Sequence, residues 1–261
     1  MVVFAGQGDA RRSMSLLWRS PGSAAERSGP GPKPALTVDR IVDAAIGLAD
    51  AEGLAAVSMR AVGRQLGRSG MALYTYVPNK GELVELMYDK AHAELAGEYE
   101  PGGGWRRAVT AWAEDLCGCY QRHPWLLQVS QARPVLGPHE FAVLEALLRA
   151  LHGTGLSARE LRSATSALFH LVRGAARTIA DAHRAGEETG VAEDAWWYDR
   201  SAWLDEVAPD FAERFPHLVR MESEDVFTDD SRPYVVQSAQ RAFADALAMF
   251  LDGVEAAVDR R

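Results

Sequence analysis

The stretch LTVDRIVDAAIGLADAEGLAAVSMRAVGRQLGRSGMALYTYVPNKGELVEL, residues 36–86, decides the fold. Thr37 stands at a helix N-cap position, with Asp39 in the first turn behind it. Ile41, Ala45, Leu48 and Ala49 keep the spacing of one helical face, and Gly53 stops the run. Leu54 and Val57 lead to Ser58, a second cap, and to a short helix through Val62 and Leu66 that ends at Gly67. Arg68-Ser69-Gly70 makes a tight turn, and Ser69 caps a third helix with Leu73 and Val77 on its core face. Pro78 ends that helix, because the residue before a proline is driven out of the α region. Asn79 caps a fourth, which runs through Leu83, Leu86 and Met87 to about Leu95. Three short helices, with a glycine-containing turn between the second and third, describe a helix-turn-helix.

The whole chain has 261 residues, 48% of them hydrophobic, with 28 Lys+Arg against 36 Asp+Glu for a formal net charge of −8. That length buries a sizeable core and suggests one or two domains. Two cysteines, Cys117 and Cys119, exclude a disulfide scaffold and a structural zinc site. No apolar run approaches the ~20 residues needed to cross a bilayer, so no membrane partner is expected. The net charge hides a division. Residues 1–80 hold ten Lys/Arg and six Asp/Glu, a net of +4, and residues 81–261 carry −12. Between Glu52 and Glu82 there is no acidic residue, while Arg60, Arg64, Arg68 and Lys80 fall there. A phosphate backbone is attracted to that window and repelled by most of the remainder.

Residues 1–36 are rich in Gly, Pro, Ser and Arg, with Pro30, Pro32 and Pro34 around Lys33, and read as a disordered arm without a signal peptide. Met14 is a second candidate start. Beyond Pro101-Gly102-Gly103-Gly104, helical patterns run over 105–122, 124–131, 139–152, 157–184, 200–214 and 234–258. Ser157-x-x-Glu160 fits a capping box. With no strand-like alternation, the expected fold is all-α: a helix-turn-helix domain over 37–82, then a larger helical domain over 83–261.

The 36–86 block resembles the DNA-binding domain of the tetracycline-repressor family of bacterial regulators. The likeness rests on Ala44-Ala45, Glu52-Gly53, Ser58-Met59-Arg60, Leu66-Gly67 and Leu73-Tyr74-x-Tyr76-Val77-x-Asn79-Lys80. It implies that Tyr74, Tyr76 and Lys80 anchor phosphates and that Arg60 contacts a base or phosphate. Independently, the face left over by Leu73 and Val77 carries Ser69, Gly70, Met71, Ala72 and Thr75. That face holds no Arg, Lys, Asn or Gln, so bidentate readout of purines is not available from it. Met71, Ala72 and Thr75 suit thymine methyls, which leaves Arg60 as the hydrogen-bonding reader. Ser58 can present its helix start to a phosphate, and Arg64 and Arg68 flank the backbone.

The C-terminal part is similar to the tetracycline repressor's own C-terminal domain in Trp105, Leu144-Glu145, Gly155-x-Ser157 and Ser166-Ala167 with His170 and Gly174. The resemblance implies homodimerisation and binding of a small-molecule effector. The histidine, asparagine and glutamine that hold tetracycline fall here at Ala96, Trp112 and Leu147, which disfavours that ligand. Trp112, Leu116, Leu147, Thr165, Ser166 and Phe169 are expected to line a largely apolar, aromatic pocket instead. A seam of Val236, Phe243, Leu247, Phe250, Leu251 and Val254 either forms a dimer bundle with the 157–184 helix or packs inside one chain. The stretch 191–230, with three basic and twelve acidic residues and Trp196, Trp197 and Trp203, reads as a mobile connection or as a lid over the pocket.

No catalytic constellation appears. Asp89-x-x-His92 is a lone pair, His123 and His139 adjoin prolines at helix starts and suit capping, and Gly102–Gly104 lacks the P-loop Lys-Ser/Thr. The expectation is a cytoplasmic regulator, not an enzyme, with no cofactor and no metal, binding double-stranded operator DNA as a homodimer and released by an effector. The alternative is a constitutive DNA-binding regulator or an activator without a small-molecule effector.

Overall fold

Every turn of the 36–86 block is punctuated by a cap made within three residues. The structure, a computed structural model, describes residues 3–6, 8–19, 36–95, 97, 99, 101–224 and 234–260. Helix α2 (Val38–Glu52) begins where the Thr37 hydroxyl accepts from the Arg40 N–H at 3.2 Å, and Gly53 ends it at φ +80°. Helix α3 (Met59–Gln65) is capped by Ser58 and helix α4 (Gly70–Leu73) by Ser69. After Leu73 the recognition element tightens into turns, with the N–H groups of Tyr76 and Val77 both on the Leu73 carbonyl at 2.9 Å. Ile41, Val42, Ala45, Leu54, Val57, Val62, Leu73 and Val77 form the core of this unit. Two glycines let α3 and α4 cross with backbones in contact. A Cβ on Gly63 would lie 2.8 Å from the Arg68 carbonyl oxygen, and one on Gly70 would lie 3.1 Å from the Arg60 Cα.

Helix α5 (Lys80–His92), capped by Asn79, is buried almost all round, because α2, the helix Pro138–Ala150 and the N-terminal segment pack on it. It therefore joins the helix-turn-helix to the larger domain. That domain is built from α6 (Trp105–Arg122), α7 (Pro138–Ala150), α8 (Ala158–Thr189) and α12 (Tyr234–Asp259). The 32-residue α8 starts with the capping box of Ser157 and Glu160 and ends at Gly190, whose φ is +70°. It packs on α6 along one side and on α12 along the other. The seam residues Val236, Phe243, Leu247, Leu251 and Val254 are buried within this one chain, with Phe250 half-buried. The intrachain alternative therefore accounts for most of the seam.

Three expectations need correction. The arm is not without structure: helix α1 (Ala10–Leu17), capped by Asp9, docks against α5, burying Ser13 and Leu17. Ahead of it, Val3 pairs with Val129, donating to Gln128 O and accepting from Ser130 N at 2.8 Å each. An eight-residue helix is marginal alone, so its stability comes from docking, which no local pattern records. Pro30, Pro32, Pro34 and Lys33 lie outside the described residues. Second, 124–131 is a 3₁₀ turn, Pro124–Gln128. Third, the 191–230 stretch is helical over α9 (Glu193–Val207), α10 (Phe211–Arg214) and α11 (Pro216–Glu224), starting before residue 200. Helix α9 has no buried residue among those described, so no apolar periodicity marked it. No helix is long and apolar enough to cross a membrane among the described residues, and Cys117 and Cys119 are free, buried thiols.

Candidate nucleic-acid interface and effector pocket

Helix α3 and the start of α4 present the residues expected at DNA. Ser58, Arg60, Arg64, Arg68, Ser69, Met71, Tyr74 and Thr75 are exposed, and Met71 keeps 75% of its surface open. Among the described residues, Arg60, Arg64 and Arg68 form no salt bridge. Three acids of the preceding helix are engaged elsewhere: Asp39 by Arg19, Asp43 by Lys90 and Asp50 by His123. The guanidinium groups are thus left to solvent or a polyanion.

Not every residue in the expected set faces outward. Gly70 is packed on the α3 backbone, and Ala72 and Tyr76 rest against the core. The hydroxyls of Ser58 and Ser69 are used as caps. Lys80 turns its Nζ back to the Leu54 carbonyl at 3.5 Å, tying the start of α5 to the α2–α3 connection.

Two polar nodes join α5 and α2 to the larger domain. Asp89, 4% exposed, caps α7 from a different helix, its Oδ1 accepting the N–H groups of His139 (2.9 Å) and Glu140 (3.0 Å). The His139 ring contacts its Oδ2 at 2.8 Å. His92 is also buried, with Nδ1 2.8 Å from the Tyr88 carbonyl, so Asp89-x-x-His92 is neither a surface contact nor a shared ligand pair. Burial lowers the His92 pKa. At the second node, His123 sits between Asp50 (2.7 Å) and Glu94 (3.0 Å), and the Trp125 indole donates to the same Asp50 oxygen at 2.7 Å. The His123 ring therefore bridges the two units, while the backbone of the same residue caps the end of α6, donating to the Cys119 carbonyl. Partial burial opposes ionisation of Glu94, but hydrogen bonds from His123 and Arg122 outweigh it and hold this carboxyl below its ordinary range.

The expected pocket residues come together in part. Trp112, Leu116 and Leu147 are sealed in the core, and the Trp112 indole donates to the Val143 carbonyl at 3.0 Å. Phe169 stands edge-on to Trp112 with ring centroids 5.1 Å apart. Thr165 buries a hydroxyl that has no hydrogen-bond partner. Ser166 is exposed and separates from the set, because α8 turns it about 100° away from Thr165. Ala96 lies outside the described residues. His92 was read only as a pair with Asp89, and missed altogether were Tyr88, Tyr120 and Arg173, polar or titratable side chains between α5, α6 and α8. The spacing 112, 116, 120 on α6 and 165, 169, 173 on α8 was the signal that pointed to the last two. No group of three or more His, Cys, Asp or Glu suited to a metal ion occurs among the described residues.

Comparison with known proteins accords with this arrangement. Residues 41–87 match the profile described as bacterial regulatory proteins, tetR family, and residues 99–258 match the tetracyclin repressor-like C-terminal domain. The chain is 39% identical over 257 residues to the HTH-type transcriptional repressor DrrR1 of Streptomyces coeruleorubidus, covering 98% of this chain and 89% of that protein. Among solved structures it is similar to apo ActR from Streptomyces coelicolor, with 27% identity, 87% of this chain and 98% of that chain covered, and a TM-score of 0.66. ActR in complex with actinorhodin aligns with 27% identity over 85% of this chain and 96% of that one, at a TM-score of 0.65. A helix-turn-helix joined through a buried helix to a helical domain of this type, with both profiles matched, places the chain in the tetR family of bacterial transcriptional regulators.

Proposed function

We propose that the protein is a homodimeric repressor that binds a pseudo-palindromic operator and is released by a small, largely apolar or aromatic effector held between α6, α7 and α8. The observation that carries the reading is the pairing of surfaces on the two sides of α5. On one side Arg60, Arg64 and Arg68 stand free of carboxylates around an exposed Met71, and on the other an aromatic interior is closed over unpartnered hydroxyls. The resemblance to a named repressor and to a regulator solved with actinorhodin supports both halves. Operator DNA makes the cytoplasm the place of action.

In this reading two α4 elements enter successive major grooves about 34–36 Å apart. Met71 and Thr75 pack on thymine methyls, Arg60 reads or anchors, and Arg68, Tyr74, Tyr76 and Lys80 hold the backbone once Lys80 leaves the Leu54 carbonyl. Since the seam of α12 is mostly used within the chain, dimerisation falls to the outer faces of α8 and α12. There a groove of about 650 Å³ is lined by Ala164, Ala167, Met249, Phe250 and Val254, and Met249 is 73% exposed. An effector that prefers the wrongly spaced conformation lowers operator affinity by population shift, with α5 as the link.

The test is a gel-shift titration against the promoter beside the protein's own gene at several salt concentrations. The expected result is palindrome-dependent binding whose affinity falls steeply with salt. Binding without palindrome dependence or without that slope overturns the reading.

A further inference from the structure

The stripes Trp112–Leu116–Tyr120 of α6 and Thr165–Phe169–Arg173 of α8 meet at two places, an aromatic one at Trp112 and Phe169 and a polar one at Tyr120 and Arg173. Trp112 and Phe169 meet at 5.1 Å, and the Arg173 guanidinium carbon stands 5.8 Å from the centre of the Tyr120 ring. Tyr120 is fully buried, and the polar group set against its hydroxyl is the Arg173 guanidinium, itself a donor, so the phenol proton has no acceptor. Arg173 spends Nη2 on the carbonyls of Leu127 (2.6 Å) and Val129 (2.8 Å), while its sealed Nη1 has no partner and no carboxylate pairs with it among the described residues. Glu140, whose charge acts on the Tyr120 phenol, is turned instead to the Leu136 N–H at 2.6 Å.

Native interiors rarely leave one buried donor unmade, and leaving a cation and a phenol side by side without an acceptor is costlier still. Both groups lack the same thing, an acceptor, and one of them adds a positive charge. We propose that the effector carries an anionic oxygen on its aromatic body, and that Tyr120 and Arg173 receive this group while the rings of Trp112 and Phe169 receive the body.

Burial pushes the Tyr120 phenol up to about 12 even with the Arg173 charge opposing, so its proton stays available for donation at neutral pH. The pole also touches the helix that leads to DNA. His92 of α5 meets the Tyr120 ring at 6.5 Å and the Tyr88 ring at 4.4 Å. An occupant at Tyr120 and Arg173 thus bears directly on α5.

The inference rests on the effector reading above and deepens it by naming a chemical class. It is tested on the full chain by calorimetric titration with 2-naphthoate and with its uncharged methyl ester. Wild type should bind the acid about tenfold more tightly than the ester. Tyr120→Phe should keep the wild-type melting temperature, because it removes a hydroxyl whose proton has no acceptor, and should lose most of the preference for the acid. A lowered melting temperature with the preference intact would mark Tyr120 as structural and sink the proposal. Arg173→Gln should abolish the preference for the acid. Equal affinity for acid and ester, as a water-filled pole would give, overturns the proposal, and so does binding of neither at about 1 mM. Gel shifts with the same pair separate the two readings. Operator release by both compounds alike keeps the effector reading and overturns the pole. Tyr120-dependent binding of the acid that leaves the operator complex intact keeps the pole and overturns the effector reading.

Discussion

The carboxylate of Asp89 on α5 is the N-terminal cap of α7, fifty residues away: its Oδ1 accepts the N–H of His139 at 2.9 Å while its Oδ2 meets the ring of the same histidine at 2.8 Å. A negative charge at a helix start satisfies orphan donors and complements the helix dipole, so this contact locks α7 to α5. Asp89→Ala should destabilise the protein by about 1–3 kcal/mol, read from urea unfolding. A change within about 0.5 kcal/mol would show that the contact is not a stabilising one. Gly137→Ala should be at least as damaging, since its Cβ would fall 2.1 Å from Asp89 Oδ1 although its φ of −82° suits alanine.

Gly63 makes a second such test on the DNA side. Its added Cβ would meet the Arg68 carbonyl at 2.8 Å and the Gly70 nitrogen at 3.0 Å, both backbone atoms that cannot rotate away. Gly63→Ala should push α4 off α3 and abolish operator binding while leaving the C-terminal domain helical. Gly47, exposed within α2 with nothing within 4 Å of its would-be Cβ, is the control. Gly47→Ala should stabilise by about 0.4–1 kcal/mol and leave binding alone.

At Asp50 one oxygen serves two partners, the His123 ring and the Trp125 indole, both at 2.7 Å. Asp50→Ala leaves two buried donors of the larger domain without an acceptor, so about 1–3 kcal/mol of stability should be lost. Because Asp50 sits on α2, the same change should also alter how strongly effector binding lowers operator affinity. An unchanged ratio of operator affinities with and without effector would remove this node from the coupling path.

Glu85 gives a pH dependence with a definite sign. Burial raises its pKa, the Gly6 N–H at 2.7 Å partly offsets this, and neighbouring Glu82 adds to the rise. A carboxyl whose folded pKa is raised favours the folded state most below its unfolded pKa, and that contribution is lost as pH rises through the folded pKa. Glu85→Gln cannot ionise and still offers an oxygen to Gly6. Its melting temperature relative to wild type should therefore rise between pH 4.5 and pH 8, by a few degrees at most. A difference that stays constant over that range would mean Glu85 does not ionise unfavourably in the fold.

Arg60→Ala separates two roles at the DNA surface. If Arg60 reads a base, relative affinities among half-site variants should change by about 1–3 kcal/mol at one position. Uniform weakening with a shallower salt slope would instead assign it to phosphate.

Thr37, Ser58, Ser69 and Asn79 cap their helices as the sequence predicts, and Ser157 and Glu160 close their capping box. Each of these bonds spans three residues, so side-chain type and spacing contain the whole interaction. The helix-turn-helix and the all-α class were legible for that reason. The docking of α1, the unpatterned α9, the turning inward of Tyr76 and Lys80 and the outward position of Ser166 depend on what lies across the fold. So do the joining of Asp89 to His139 and of Asp50 to His123, and the meeting of Tyr120 with Arg173. A buried polar side chain is defined by its partner or by the want of one, and that partner comes from fifty or more residues away in each of these pairs. Local chemistry set where the chain turns; packing alone decided which buried polar groups are answered inside and which are not.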